Sequence, residues 1–189
     1  MAKILAFAGS ARRDSSNKKL VHLAADSART AGAEVTLIDL ADFRMPIYDG
    51  DVEESQGLPE ASVRLYAMMK AHAGLLLACP EYNSSVTPLL KNTIDWLSRP
   101  RPGDAPLAAF GGKVAALISA SPGALGGLRG LVHVRAILQN IGVLVVPNQL
   151  AVPKAPEAFD EAGKLRDGDT AGRLDNVTRQ LVETARRLN

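Results

Sequence analysis

Short runs of almost unbroken apolar residues alternate along this chain with longer stretches whose apolar positions recur every three or four residues. That alternation leaves few folds open. The runs are Ile4–Ala8, Val35–Ile38, Leu75–Cys79, Val114–Ile118 and Val143–Val146. Strands buried on both faces read this way. Between them, Leu20, Ala24, Ala28 and Ala31 share one helical face, as do Val63, Ala67 and Ala71. Leu90, Ile94 and Leu97 form a third face, and Leu131, Val134, Leu138 and Ile141 a fourth. A last helix carries Leu174, Val177, Leu181, Ala185 and Leu188. Gly32 and Gly142 sit where helices should end, Pro88 falls in a first helical turn, and Thr170 is the expected N-cap of the last helix. Strand followed by helix, five times over, predicts an α/β fold. The expected architecture is a doubly wound five-stranded parallel sheet, order 2-1-3-4-5, with helices on both faces. At 189 residues the chain suits one well-buried core, so residues 1–189 are read as a single domain. Asp49–Pro59 and Arg99–Pro106 are expected to be surface loops.

Charge and cysteine content remove several classes of function. The formal net charge is +2 and no block of five like charges occurs, so no nucleic acid and no anionic membrane surface is expected as a partner. Cys79 stands alone at the end of an apolar run, where it reads as a small buried hydrophobe. No disulfide framework and no cysteine-based metal site can form within the chain. His22, His72 and His133 fall on helical segments without metal-ligand spacing and read as solvated or half-buried helix surface; no metal is expected. A G-x-S-x-G nucleophile elbow does not occur. Nor does an apolar run of eighteen residues, and the apolar residues 4–8 are too few for a signal-peptide core, so a cytoplasmic protein is expected.

In an open parallel sheet, ligands bind beyond the carboxyl ends of the strands where strand order reverses, here between the first and third strands. The loops at that edge are the unusual ones. The first runs Gly9-Ser10-Ala11-Arg12-Arg13-Asp14-Ser15-Ser16-Asn17 into a helix. Free backbone N–H groups at a helix start, three hydroxyls, an amide and a guanidinium suit a phosphate monoester. A helix cap needs one such residue, whereas this loop supplies four. It matches neither G-x-G-x-x-G nor G-x-x-x-x-G-K-[ST], which favours a mononucleotide over a pyrophosphate. The loop Pro80–Pro88 offers the ring of Tyr82 beside the polar groups of Asn83 and Ser84. A planar polar heterocycle and a rigid proline-bounded turn both explain it. The small residues of Ser119–Gly127 allow close backbone approach to a flat ligand or simply a turn.

Taken together these loops resemble the NAD(P)H-dependent FMN reductases of the flavodoxin-like superfamily, a group that includes bacterial quinone, chromate and ferric reductases. The motifs are G-S-x-R-x-x-S-x-N at Gly9–Asn17, P-E-Y-N-x-S at Pro80–Ser85, L-K-N-x-I-D-W at Leu90–Trp96, and Gly126-Gly127 followed by Arg129. The likeness spans Lys3 to about Val146. It implies an FMN phosphate cradle of Ser10, Arg12, Ser15, Ser16 and Asn17, and a loop of Pro80, Glu81, Tyr82, Asn83 and Ser84 around the isoalloxazine. Ser121 and Gly123 would form the third edge. It also implies NADH or NADPH as co-substrate, small-molecule acceptors, and a homodimer or homotetramer with the flavin near a subunit boundary. Where many relatives have Pro-Gly ahead of the Leu-Lys-Asn run, this chain has Thr87-Pro88-Leu89, which bears on the start of that helix or on the acceptor side of the pocket.

The implied chemistry is ping-pong: hydride from nicotinamide to the flavin N5, then electrons to a second substrate in the same place. The cofactor carries that reaction, so no acid–base residue is nominated, and Asn83 is at most a support. Asp95 and Trp96 are read as packing or capping residues. Arg129 and Arg135 suit either nicotinamide phosphates or a subunit salt bridge. The rivals are a flavodoxin-type electron carrier, against which the weak positive charge argues, and a flavin redox sensor without turnover.

Overall fold

The computed structural model describes residues 1–188. Five strands form one all-parallel sheet: β1 (Lys3–Ala8), β2 (Glu34–Leu37), β3 (Gly74–Ala78), β6 (Val114–Ala120) and β7 (Leu144–Val152). Their spatial order is β2-β1-β3-β6-β7, the expected 2-1-3-4-5 once the two-stranded hairpin β4 (Glu81–Tyr82) and β5 (Ser85–Val86) is set aside. Ile4 pairs with Val35 on one side and Gly74 on the other, and Gly74 pairs in turn with Val114. Helices α1 (Ser16–Thr30) and α7 (Gly168–Leu188) cover one face; α3 (Glu60–Ala71), α4 (Pro88–Leu97) and α5 (Leu128–Asn140) cover the other.

Alternation along each central strand divides the core in two. Ile4, Ala6, Ala8, Leu76, Ala78, Ala116 and Ile118 face α1 and α7, meeting Leu20, Ala24, Leu174 and Leu181. Leu5, Phe7, Leu75, Leu77, Ala115 and Leu117 face the opposite layer, meeting Leu65, Met69, Leu90, Ile94, Leu131 and Val134. Each side chain of a central strand therefore has a dry partner whichever way it points, which is why these runs are continuously apolar. Cys79 is buried, and burial pushes its thiol up. No helix among the described residues is long and apolar enough to cross a membrane.

Several local expectations need correction. β2 is an edge strand and only half buried. In α3 the buried residues are Ser62, Leu65, Tyr66 and Met69, whereas Val63, Ala67 and Ala71 face outward. The Asp49–Pro59 stretch contains a seven-residue helix, α2 (Gly50–Gln56), whose N-cap Asp49 accepts from the Asp51 amide. The last helix starts at Gly168, and Asp167 accepts from both the amide and the hydroxyl of Thr170. His72 is buried at the end of α3, with Nδ1 2.6 Å from the Met68 carbonyl and Nε2 2.8 Å from the Thr36 hydroxyl. The expected positions of Pro88, Gly32 and Gly142 hold, the two glycines with φ of 84° and 87°.

Past the end of β6 the chain continues beside the end of β7, with Ser121 N–H donating to the Val152 carbonyl and Ala155 N–H, at the start of the short helix α6 (Ala155–Ala158), to the Ser121 carbonyl. Gly126 closes this contact. Its φ is +62°, and a Cβ there would lie 2.6 Å from the Val152 carbonyl carbon and 2.8 Å from Pro153 N. Backbone cannot yield as a side-chain tip can. Gly126→Ala is expected to lose about 2–4 kcal/mol in urea unfolding of the ligand-free protein, overpacking and left-handed strain acting together; a loss within error of zero would mean the loop repacks freely.

Candidate functional site

The C-terminal ends of β1, β3 and β6, the first, third and fourth strands of the sheet along the chain, deliver three loops to one edge, called after them the first, third and fourth loops. The first begins at Gly9, whose N–H donates to the Ala78 carbonyl at 2.9 Å. A Cβ on Gly9 would stand 3.0 Å from Leu90 Cβ and 3.4 Å from Pro80 Cδ, so the absent side chain lets the first and third loops close. Ser10 and Ser15 are buried, Ser16 is half-buried, and Arg12 and Arg13 extend into solvent. The Arg12 amide donates to the Ser10 hydroxyl at 3.3 Å. Ser15 caps α1, its hydroxyl accepting from the Lys18 amide. The amides of Ser16 and Asn17 open the helix without intrahelical acceptors and leave donors and a partial positive charge at this point.

Asn17 has a second task. Its side-chain amide donates to the Ala120 carbonyl at 2.7 Å and accepts from the Ala120 amide at 3.0 Å. Both bonds are buried, and together they copy a strand pairing between α1 and the end of β6. The Asn17 side chain therefore shapes the loop, while its backbone amide faces the helix start.

The third loop is a hairpin. Tyr82 pairs with Ser85 across a two-residue turn, Asn83 and Ser84, with φ of 49° and 68°. Positive φ at both central positions defines a type I′ turn, which Asn tolerates well. Tyr82 is 49% exposed, leaving a ring face open to the edge. Glu81 points the other way and is bound by α5: Arg129 Nη2 donates to it at 2.6 Å and the Gly130 amide at 3.0 Å. Burial pushes the Glu81 carboxyl up, but the Gly130 amide and the Arg129 guanidinium outweigh it and hold the group below the ordinary carboxylate range.

Thr87, which the sequence marked only as a departure from the family pattern, locks this loop to the first. Its hydroxyl donates to the Gly9 carbonyl at 2.8 Å and accepts from the Leu90 amide at 3.3 Å as the N-cap of α4. The Thr-Pro pair at a helix start was the available signal. The substitution of Thr87-Pro88 for Pro-Gly thus leaves a regular start to α4. Further along, Asn92 accepts from the Tyr48 amide at 2.7 Å, and both Asn92 Nδ2 and Trp96 Nε1 donate to the Pro46 carbonyl at 2.8 Å. Trp96 is fully buried and acts in packing, whereas Asp95 pairs with Lys91 at 2.6 Å on the outer side of α4. Arg135 gives its guanidinium to the carbonyls of Val145, Val146 and Pro147.

In the fourth loop, the Ser121 hydroxyl accepts from the Gly123 amide at 3.2 Å. Both residues lie toward solvent, with Gly123 exposed and Ser121 half-buried. Ser119 lies at the floor, fully buried, its hydroxyl without a hydrogen-bond partner among the described residues. A Cβ on Gly127 would strike that hydroxyl.

The donor set fits a phosphorylated planar ligand. The first loop carries two helix-start amides, the hydroxyls of Ser10, Ser15 and Ser16 and the Arg12 guanidinium, which has no partner among the described residues. The loops after β3 and β6 add the exposed Tyr82 ring and the Ser119 hydroxyl, buried and without a partner among those residues. A doubly wound 2-1-3-4-5 sheet with such loops at its switch point is the flavodoxin-like arrangement. Residues 2–157 match the family of NADPH-dependent FMN reductase. Over 182 residues the chain is 34% identical to an NAD(P)H-dependent FMN reductase of Pseudomonas aeruginosa, covering 96% of this chain and 89% of that protein. It is 32% identical over 182 residues to the quinone reductase of Escherichia coli K12, covering 95% and 92%. The structure superposes on FerB, a flavoenzyme NAD(P)H:(acceptor) oxidoreductase from Paracoccus denitrificans, with a TM-score of 0.83 at 26% identity over 99% of this chain and 98% of that one. The chain belongs to the NADPH-dependent FMN reductase family and is an FMN-dependent oxidoreductase with a reduced nicotinamide as co-substrate.

Two outcomes test this geometry. Thr87→Val leaves the buried Gly9 carbonyl and the Leu90 amide without their partner and should cost about 1–3 kcal/mol in urea unfolding. An unchanged midpoint would show that water takes over both bonds. The second concerns Lys18, which bonds Asp39 at 2.5 Å and braces α1 against the end of β2. Burial pushes the Asp39 carboxyl up, but Lys18 and the Ala41 amide outweigh it and hold it low. A carboxyl lowered on folding stabilises above its unfolded pKa and loses that contribution as pH falls through the folded value. Stability should therefore decline on acidification through and below the ordinary carboxylate range, and Lys18→Met should flatten that decline, as read by thermal melts across pH.

Proposed function

We propose that this chain holds FMN across its three loops and works as an NAD(P)H:acceptor oxidoreductase with ping-pong turnover, passing electrons to quinones and also to ferric complexes, chromate or similar small acceptors. The observation that carries this reading is the convergence of the α1 start, the Tyr82 hairpin and the fourth loop on one open edge. Ser10, Arg12, Ser15, Ser16 and the Asn17 amide would bind the phosphate. Pro80, Tyr82, Asn83, Ser84 and the Glu81 backbone would border the ring, with Ser121 and Gly123 on its third side. When bound, FMN supplies a carrier that accepts hydride from reduced nicotinamide and releases electrons to a second substrate. The protein's part is to bind, orient and leave one face open, which donor and acceptor must occupy in turn. The quinone reductase of E. coli, similar over nearly its whole length, supports the acceptor class. A homodimer or homotetramer and a cytoplasmic location belong to the same proposal. The net charge of +2 disfavours an acidic electron carrier.

Anaerobic visible spectra provide the direct test. Purified protein loaded with FMN should bleach with NADH or NADPH and recolour with a quinone; failure to take up FMN would overturn the proposal. Bound flavin that neither nicotinamide reduces would favour the carrier or sensor. Arg12→Ala should weaken FMN about tenfold and leave riboflavin unaffected, since one charge-assisted hydrogen bond to phosphate carries roughly that factor. Asn83→Gly keeps the turn and removes the amide. Unchanged single-turnover flavin reduction in that variant would dismiss a supporting role for the side chain.

A further inference from the structure

Helix α5 starts without a capping side chain of its own: its N-cap is Gly127, in the left-handed region. The missing cap comes from another loop. Glu81 Oε2 accepts from the Gly130 amide at 3.0 Å, while Oε1 accepts from Arg129 Nε at 2.9 Å and Nη2 at 2.6 Å. The Glu81 side chain is 8% exposed against 56% for Arg129, so the carboxylate lies under the guanidinium and both its oxygens are engaged. Room for this contact comes from a missing Cβ. At Gly130 one would stand 3.3 Å from Glu81 Cβ and 3.3 Å from the Ser85 carbonyl oxygen. A second tie lies beside it, Ser85 Oγ to His133 Nδ1 at 2.9 Å. Successive residues of a strand point to opposite sides. With Glu81 turned into α5, Tyr82 must face the open edge, and the Asn83–Ser84 turn follows from the same docking.

We propose that Glu81 is a positioning residue: by capping α5 from the neighbouring loop, its carboxylate fixes the pose of Tyr82 and of the Asn83–Ser84 turn against FMN, and so sets flavin affinity without touching the flavin. This rests on the reading that FMN lies across the three loops. A charged cap on the first turn of a helix is among the stronger surface-proximal interactions. Here it joins two elements 49 residues apart, so its effect extends beyond the helix it caps.

The experiment compares Glu81→Ala, Glu81→Gln and Gly130→Ala with wild type, reading FMN and riboflavin dissociation constants by fluorescence quenching. The visible circular dichroism of the saturated flavin and the melting temperature of the apoprotein are read alongside. Because the latch acts on the ring side, Glu81→Ala should weaken FMN and riboflavin by the same factor, about tenfold, and alter the flavin dichroism. Glu81→Gln, which can still accept from the Gly130 amide, should fall between Glu81→Ala and wild type. Gly130→Ala, which presses on the hairpin from the α5 side, should shift dichroism in the same sense. Should Glu81→Ala fail to fold, the other two carry the comparison. A lower apoprotein melting temperature with wild-type affinities and dichroism would reduce Glu81 to a stability role and overturn the proposal. Arg12→Ala separates the two levels of failure. If it weakens FMN selectively while the Glu81 variants do nothing, the site reading stands and the positioning role falls. If Arg12→Ala leaves FMN binding unchanged, the site reading falls and the positioning role with it.

Discussion

Two hydrogen bonds between the Asn17 side chain and the Ala120 backbone connect residues 103 positions apart, and the binding edge depends on them. A parallel sheet sends the loops after β1, β3 and β6 to the same edge, but nothing in strand pairing fixes those loops relative to each other. An amide side chain carries a separate donor and acceptor and can present both to a single backbone unit as another strand would. By doing so in the first turn of α1, Asn17 sets the helix start against the end of β6. Thr87 repeats the device between the third loop and the Gly9 carbonyl. Both bonds are buried, where an unmade polar contact is costly, so the loops have one arrangement with every partner satisfied.

Polar side chains thus fall into two groups along this edge. Asn17, Glu81 and Thr87 face inward and tie loop to loop; the Arg12, Tyr82 and Asn83 side chains face outward and have no hydrogen-bond partner among the described residues. A helix start adds backbone amides and a partial positive charge to the outward set. Preorganisation follows from the inward set, because groups that are already fixed lose little freedom when a ligand arrives.

How much of this could be read from the chain depended on the range of the contacts involved. β1, β3 and β6 were legible because each lies between two helical layers, and burial on both faces leaves a continuous apolar run. The phase of α3 was not. Val63, Ala67 and Ala71 make as good a helical stripe as the buried set, which includes Ser62, a residue that reads as polar. Ser62 is accommodated because its hydroxyl meets the Trp96 carbonyl and accepts from Arg101. Helix α2 buries none of its residues and left no apolar signal. The turn Asn83–Ser84 was masked by a serine where glycine is the usual mark of a type I′ turn. At the site, residue types favoured a phosphate, since that chemistry needs a local cluster of donors; the flat ring rested on the family resemblance, because the Tyr82 loop by itself also reads as a rigid turn. The direction of the Glu81 and Asn17 side chains was illegible, because their partners lie far along the chain and are brought near only by the order of strands.

Arg135 bears on how the molecule behaves in company. β7 is the outer strand of the sheet, and its pairing with β6 jumps from Val145 to Gln149, leaving three residues out of register. An outer strand with free carbonyls and amides invites a strand from another chain. Arg135 covers the carbonyls of Val145, Val146 and Pro147, and Pro147 has no amide to offer. The sheet is thereby blunted on the side where it would otherwise keep growing, by the same arginine that holds the bulge.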